Sequence, residues 1–141
     1  MYMKTVLLAD DDKSVRKMVA RVLEIAGYLP LLAASAKEAV LVFQSARPDV
    51  VVLDLTRPDQ DGWQAFEHMV WMDPLMPVIV ITAHSDRSEQ PLTGGICSFM
   101  EKPLDLTHLL QTIARLLDYS ERERTRRLAT HSSTKQEVAG V

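Results

Sequence analysis

The 141-residue chain is 47% hydrophobic and 25% charged, enough for one core and a soluble surface, so a single domain with a tail is the expected organisation. Its formal charge of −3 hides an acidic body, residues 1–119, with 11 Lys and Arg against 16 Asp and Glu, and a mildly basic end, residues 120–141, with 5 against 3; such a body is a poor nucleic-acid binder. A single cysteine, Cys97, excludes an internal disulfide and a cysteine-rich zinc site, and no apolar run approaches a membrane span or a signal-peptide core, which points to the cytoplasm.

Val6-Leu7-Leu8-Ala9 is an unbroken apolar run that stops at Asp10-Asp11-Asp12, the form of a strand buried on both faces. A helix follows, with Val15, Met18, Val19, Val22 and Ile25 or Ala26 at helical spacing and Gly27 placed to end it. Tyr28 to Ala33 is the second strand, and Pro30, which has no N–H for a ladder, assigns it to a sheet edge. Ser35 with Glu38 forms a capping box opening a helix that turns Ala39, Val40 and Phe43 inward.

Val50-Val51-Val52-Leu53 is again wholly apolar and again ends on a carboxylate, Asp54. A loop with Pro58 and Gly62 leads to a helix through Trp63, Phe66 and Met69, then Pro77 to Ile81 forms a fourth strand ending at Thr82. Ile96 to Met100 is a fifth, less regular strand ahead of Glu101-Lys102-Pro103, with Cys97 read as a small buried hydrophobe. A last helix is capped near Asp105 and buries Leu106, Leu109, Leu110, Ile113 and Leu117. From Glu121 to Arg127 the apolar periodicity gives way to charges suited to a solvated helix extension, and the Ser- and Thr-rich remainder reads as a flexible end.

Continuously apolar strands alternating with helices imply a parallel sheet covered on both faces, with its ligand beyond the carboxyl ends of the strands. The polar residues at those ends, Asp10, Asp11, Asp54, Thr82 and Lys102, are therefore candidates for one site. Three converging carboxylates call for a cation, and hard oxygen ligands suit Mg²⁺, which commonly shares a phosphate oxygen with its protein site. In such a site a carboxylate is a competent nucleophile toward phosphorus, while the Lys102 ammonium and the Thr82 hydroxyl suit the other phosphoryl oxygens.

These residues and their neighbours resemble the receiver domains of response regulators over roughly residues 4–118. The resemblance is carried by Leu7-Leu8-Ala9-Asp10-Asp11-Asp12, by Val51-Val52-Leu53-Asp54-Leu55 followed by Pro58, Asp61 and Gly62, by Ile81-Thr82-Ala83, and by Phe99 with Lys102-Pro103. It implies a flavodoxin-like doubly wound α/β domain over residues 1–119, with five parallel strands in the order 2-1-3-4-5 and a charged tail or helix extension over 120–141. It further implies that Asp54 accepts phosphate from a sensor histidine kinase or phosphotransfer protein. Mg²⁺ would be held by Asp10, Asp11, Asp54 and the Thr56 carbonyl, with Lys102 on a phosphoryl oxygen and Thr82 and Phe99 as the switch pair. A downstream protein partner is implied, with neither membrane nor direct nucleic-acid binding, and a homodimer stays open.

Two competing readings are weighed against this. A degenerate receiver acting only as a binding module fits poorly with an intact polar set, and an aspartate-nucleophile phosphohydrolase generally needs a second aspartate where this chain has Thr56. The chain departs from the family pattern at Arg57, either a solvated loop residue or a charge reaching the anionic site. It departs again in residues 84–95, where Pro91 and Gly94-Gly95 disfavour a regular helix, so the fourth helix is expected to be short or irregular and the segment mobile until phosphorylation or a partner orders it. His84 in that segment is expected to be an exposed loop residue, with an influence on aspartyl-phosphate lifetime as the alternative.

Overall fold

The computed structural model describes residues 3–55, 60–83 and 96–139. Thr56, Arg57, His84 and the whole expected fourth helix lie outside those residues. The described elements are β1 (Thr5–Ala9), α1 (Lys13–Ile25), β2 (Leu29–Ala33), α2 (Ala36–Ala46), β3 (Val50–Asp54), α3 (Gln60–Met72), β4 (Val78–Thr82), β5 (Cys97–Glu101) and α4 (Leu106–Ala139).

The five strands form one parallel sheet in the order β2-β1-β3-β4-β5, as the resemblance implies. The three apolar runs without interruption, β1, β3 and β4, occupy its centre, and β2 with Pro30 is an edge. The Leu29 N–H bonds Lys4 O at 2.9 Å, so by strand alternation the position of Pro30 faces the open side, where a missing N–H costs nothing.

Alternation also divides the core in two. Leu7, Ala9, Val51, Leu53, Val78 and Val80 pack on one face with Phe43 of α2 and with Phe66 and Met69 of α3. Val6, Leu8, Val50, Val52, Ile79 and Ile81 pack on the other with Val19 and Leu23 of α1 and with Leu109, Ile113 and Leu117 of α4. Both layers exclude water from the central strands β1, β3 and β4, leaving their ends as polar surfaces.

The helix ends follow from local chemistry. Asp12 caps α1, accepting from the Ser14 N–H at 2.8 Å, and Gly27 at φ +93 follows its last turn. Ser35 accepts from the Glu38 N–H at 3.1 Å, while Glu38 reaches back to the Ala34 N–H at 3.3 Å, one residue earlier than the usual reciprocal partner. Asp105 caps α4 through the His108 N–H at 3.1 Å.

The expected inward face of α1 requires correction. The structure buries Val19, Ala20 and Leu23, with Val15 packed at the margin, and leaves Met18 48% and Ile25 72% exposed. The apolar stripe of the sequence is wider than the surface the sheet and α4 can cover. At the C-terminus α4 passes Tyr119 without interruption and stays helical to Ala139.

Candidate functional site

Strand register brings the expected residues together before any side chain is considered. Ala9 lies opposite Leu53, so Asp10 and Asp54 leave neighbouring strands side by side. Thr82 lies opposite Glu101, and the Lys102 N–H continues that ladder by bonding Thr82 O at 2.9 Å. The bond from Leu55 N–H to Ile81 O, at 2.8 Å, holds β3 against β4 just past Asp54.

The side chains then meet. The Lys102 Nζ lies 2.7 Å from Asp54 Oδ2, and the Asp54 side chain is only 3% exposed. Asp10 is buried as well, and its Oδ1 accepts from the Asp12 N–H at 2.9 Å. Asp10, Asp11 and Asp54 line one cavity of about 220 Å³ together with Ala34, Ser35, Ala36, Leu55 and Gly62. Gly62 lets α3 approach this close, because a methyl group in its place would run into the Leu55 side chain.

The electrostatics are those of charge collected against its own repulsion. Burial, and next the hydrogen bond with Asp54, push the Asp10 carboxyl up from 3.8 to about 6, against the opposing pull of the Asp12 N–H and Lys102. Burial alone would pull the Lys102 ammonium down, but Asp54, with Asp10 and Asp11 behind it, holds it above its ordinary value. The site therefore carries an excess of carboxylate that one lysine only partly offsets.

Among the described residues no three acidic, His or Cys side chains form a closed metal cluster. Mg²⁺ does not ask for one: it keeps several waters and is usually held by one or two carboxylates. Asp10, Asp11 and Asp54, sharing one cavity with an excess of negative charge, fit such an ion.

Phe99 is half-buried and packs against the core layer of α2 and α3. Val80 is its partner across the strands and Thr82 is two residues further along β4, which puts Phe99 and Thr82 on the same side of the sheet. Cys97 is half-buried and its thiol is pushed up to about 12 by desolvation, consistent with an inert packing residue. Two contributors escape a reading of the sequence. Asp12 caps α1 and offers Asp10 its N–H, and Arg16 donates from Nη1 to the Asp10 carbonyl at 2.6 Å. The three consecutive aspartates announce a cap, but only the folded loop assigns it to the third.

Comparison with known proteins agrees with this arrangement. The family model for the response regulator receiver domain matches residues 6–114. The chain is 33% identical over 113 residues to the C4-dicarboxylate transport transcriptional regulatory protein DctD of Rhizobium meliloti, covering 79% of this chain and 25% of that protein. It is 35% identical over 114 residues to the response regulator MprA of Mycolicibacterium vanbaalenii, covering 79% and 49%. A solved receiver domain protein (CheY-like) from Methanospirillum hungatei superposes with a TM-score of 0.79 at 27% identity, over 86% of this chain and 99% of that one. The chain thus spans a quarter to about half the length of these curated relatives. It belongs to the receiver-domain family of response regulators, the phosphorylation-dependent switches of two-component systems.

Proposed function

We propose that Asp54 is the phosphoryl acceptor of this receiver, that the donor is a phosphohistidine on a sensor kinase or phosphotransfer protein, and that the reaction needs Mg²⁺. The observation that carries the reading is the Asp54 carboxylate, buried at the end of β3, 2.7 Å from the Lys102 ammonium and sharing a cavity with Asp10 and Asp11. An ordinary surface aspartate would have neither the burial nor the gathered charges.

In the transfer a carboxylate oxygen of Asp54 forms the bond to phosphorus while the bond from phosphorus to the donor's imidazole nitrogen breaks, and the imidazole leaves with that electron pair. Lys102 is already in place to balance negative charge on the acceptor and then on a phosphoryl oxygen, and the Thr82 hydroxyl is the donor proposed for another. Asp10, Asp11, Asp54 and the Thr56 carbonyl would hold Mg²⁺, which when bound supplies the positive charge that three carboxylates and a phosphoryl group require. Phe99, packed on the Thr82 side of the sheet, is the proposed relay, since a shift of Thr82 toward the phosphate opens space on that side. The chain acts as a phosphoacceptor in this reading, with residues 1–119 forming the switch and 120–141 a charged helix extension.

Incubation with acetyl phosphate and Mg²⁺, read by intact mass, tests it. Wild type gains one phosphoryl group and Asp54→Ala gains none. Phosphate gain that survives Asp54→Ala overturns the assignment of the acceptor, and a wild type that takes up nothing favours a protein-binding module instead.

A further inference from the structure

The carbonyl of Asp10 has a bonding problem that the sheet does not solve. The Asp10 N–H extends the β1–β2 ladder to Ala33 O at 3.1 Å, so by the parallel pattern its carbonyl also faces β2. But β2 ends at Ala33 and the chain turns away at Ser35 into α2, which leaves the ladder no further donor there. Arg16, half-buried in the second turn of α1, fills the gap with Nη1 at 2.6 Å. A cationic donor on a neutral carbonyl makes a short, charge-assisted bond.

From this we infer that Arg16 is a positioning residue for the Mg²⁺ site: it fixes the main chain on which the Asp10 and Asp11 carboxylates are carried. Three links close the loop. The Asp12 N–H bonds Asp10 Oδ1 at 2.9 Å, Asp12 Oδ1 caps α1 at 2.8 Å, and Arg16 returns from α1 to Asp10 O. Both ends of the Asp10-Asp11-Asp12 turn are thereby tied to rigid elements, β1 and α1, and the two proposed metal carboxylates sit between the ties. Mg²⁺ demands near-ideal octahedral geometry, so its affinity falls when ligand-bearing backbone is loosened. Arg16 touches neither metal nor phosphate in this account and acts through Asp10 alone.

The inference rests on the function proposed above, and the test separates the two. Mg²⁺ alone is titrated into wild type, Arg16→Ala and Arg16→Lys, followed through the amide resonances of residues 10–12, with melting temperatures taken without metal. Arg16→Ala is expected to weaken Mg²⁺ binding by about tenfold while melting close to wild type, and Arg16→Lys, which keeps a cationic donor, to recover most of the affinity. Unchanged affinity in the alanine variant overturns the inference, and so does a lysine variant as impaired as alanine. Should Arg16→Ala melt too early to titrate, Arg16→Lys decides alone, with affinity near wild type supporting the inference and an alanine-sized loss overturning it. A wild type that binds no Mg²⁺ overturns the proposed function itself, and this inference with it.

Discussion

The two ends of the sheet are built on opposite principles. At the carboxyl ends of the strands, like charges are packed together, with Asp54 buried and Asp10 pushed to about 6. At the amino ends, several polar groups near the strands meet partners. Asp49 Oδ2 accepts from the Thr5 N–H at 2.7 Å and from the Thr5 hydroxyl at 3.1 Å, Asp73 pairs with Arg124 at 2.6 Å, Lys4 pairs with Glu121, and the buried Ser120 hydroxyl donates to Leu75 O at 2.6 Å. One end gives up stability by gathering charge, and the other supplies it, so electrostatic strain and structural support occupy separate surfaces.

The contrast can be broken most strongly at the supporting end. Asp49→Ala removes two acceptor contacts and leaves part-buried donors on Thr5, and chemical denaturation should register a loss of about 2–3 kcal/mol. The site end should respond in the opposite direction. The folded Asp10 carboxyl keeps its proton up to about pH 6 while the unfolded chain gives it up near 3.8, so stability falls as pH rises between those values and the cost is full above pH 6. Asp10→Asn keeps an acceptor for the Asp12 N–H and removes the charge. The metal-free variant should be more stable than wild type at pH 7.5 by on the order of 2 kcal/mol, an advantage that calorimetry finds gone near pH 4. An Asp10→Asn protein less stable at pH 7.5 would erase the distinction drawn between the two ends.

Smaller effects sharpen it. Ser120→Ala leaves the Leu75 carbonyl without its buried donor and should cost about 1–2 kcal/mol. Arg124→Ala, which opens a pair whose arginine is 44% exposed, should cost under about 1 kcal/mol and less still in high salt. If the two variants lose equal stability in urea melts, the docking of α4 is shared among its contacts instead of anchored by the Ser120 hydroxyl.

Much of the sheet is legible in the sequence because parallel strands buried on both faces leave runs of Val, Leu and Ile that nothing else explains, each ending on a polar residue at the same edge. The pairing of Asp54 with Lys102 follows from that placement. Other parts are not legible, for identifiable reasons. Periodicity marks Met18 and Ile25 as apolar but cannot say how wide a stripe the sheet covers. Ser120 and Leu75 are 45 residues apart, and Arg124 and Asp73 are 51 apart, so no local pattern announces either contact. Arg16 stands six residues from Asp10, yet its role arises from where β2 ends, on a different strand.

The continuity of α4 has a mechanical meaning. Arg122 pairs with Asp118, and Arg126 and Arg127 both grip Glu123, so the stretch leaving the body is braced along its own surface. A rod of this kind amplifies: at 1.5 Å per residue the helix beyond Arg127 reaches about 18 Å, and a tilt of about 10° at its root sweeps its tip through roughly 3 Å. The far end of the helix would move farther than its base.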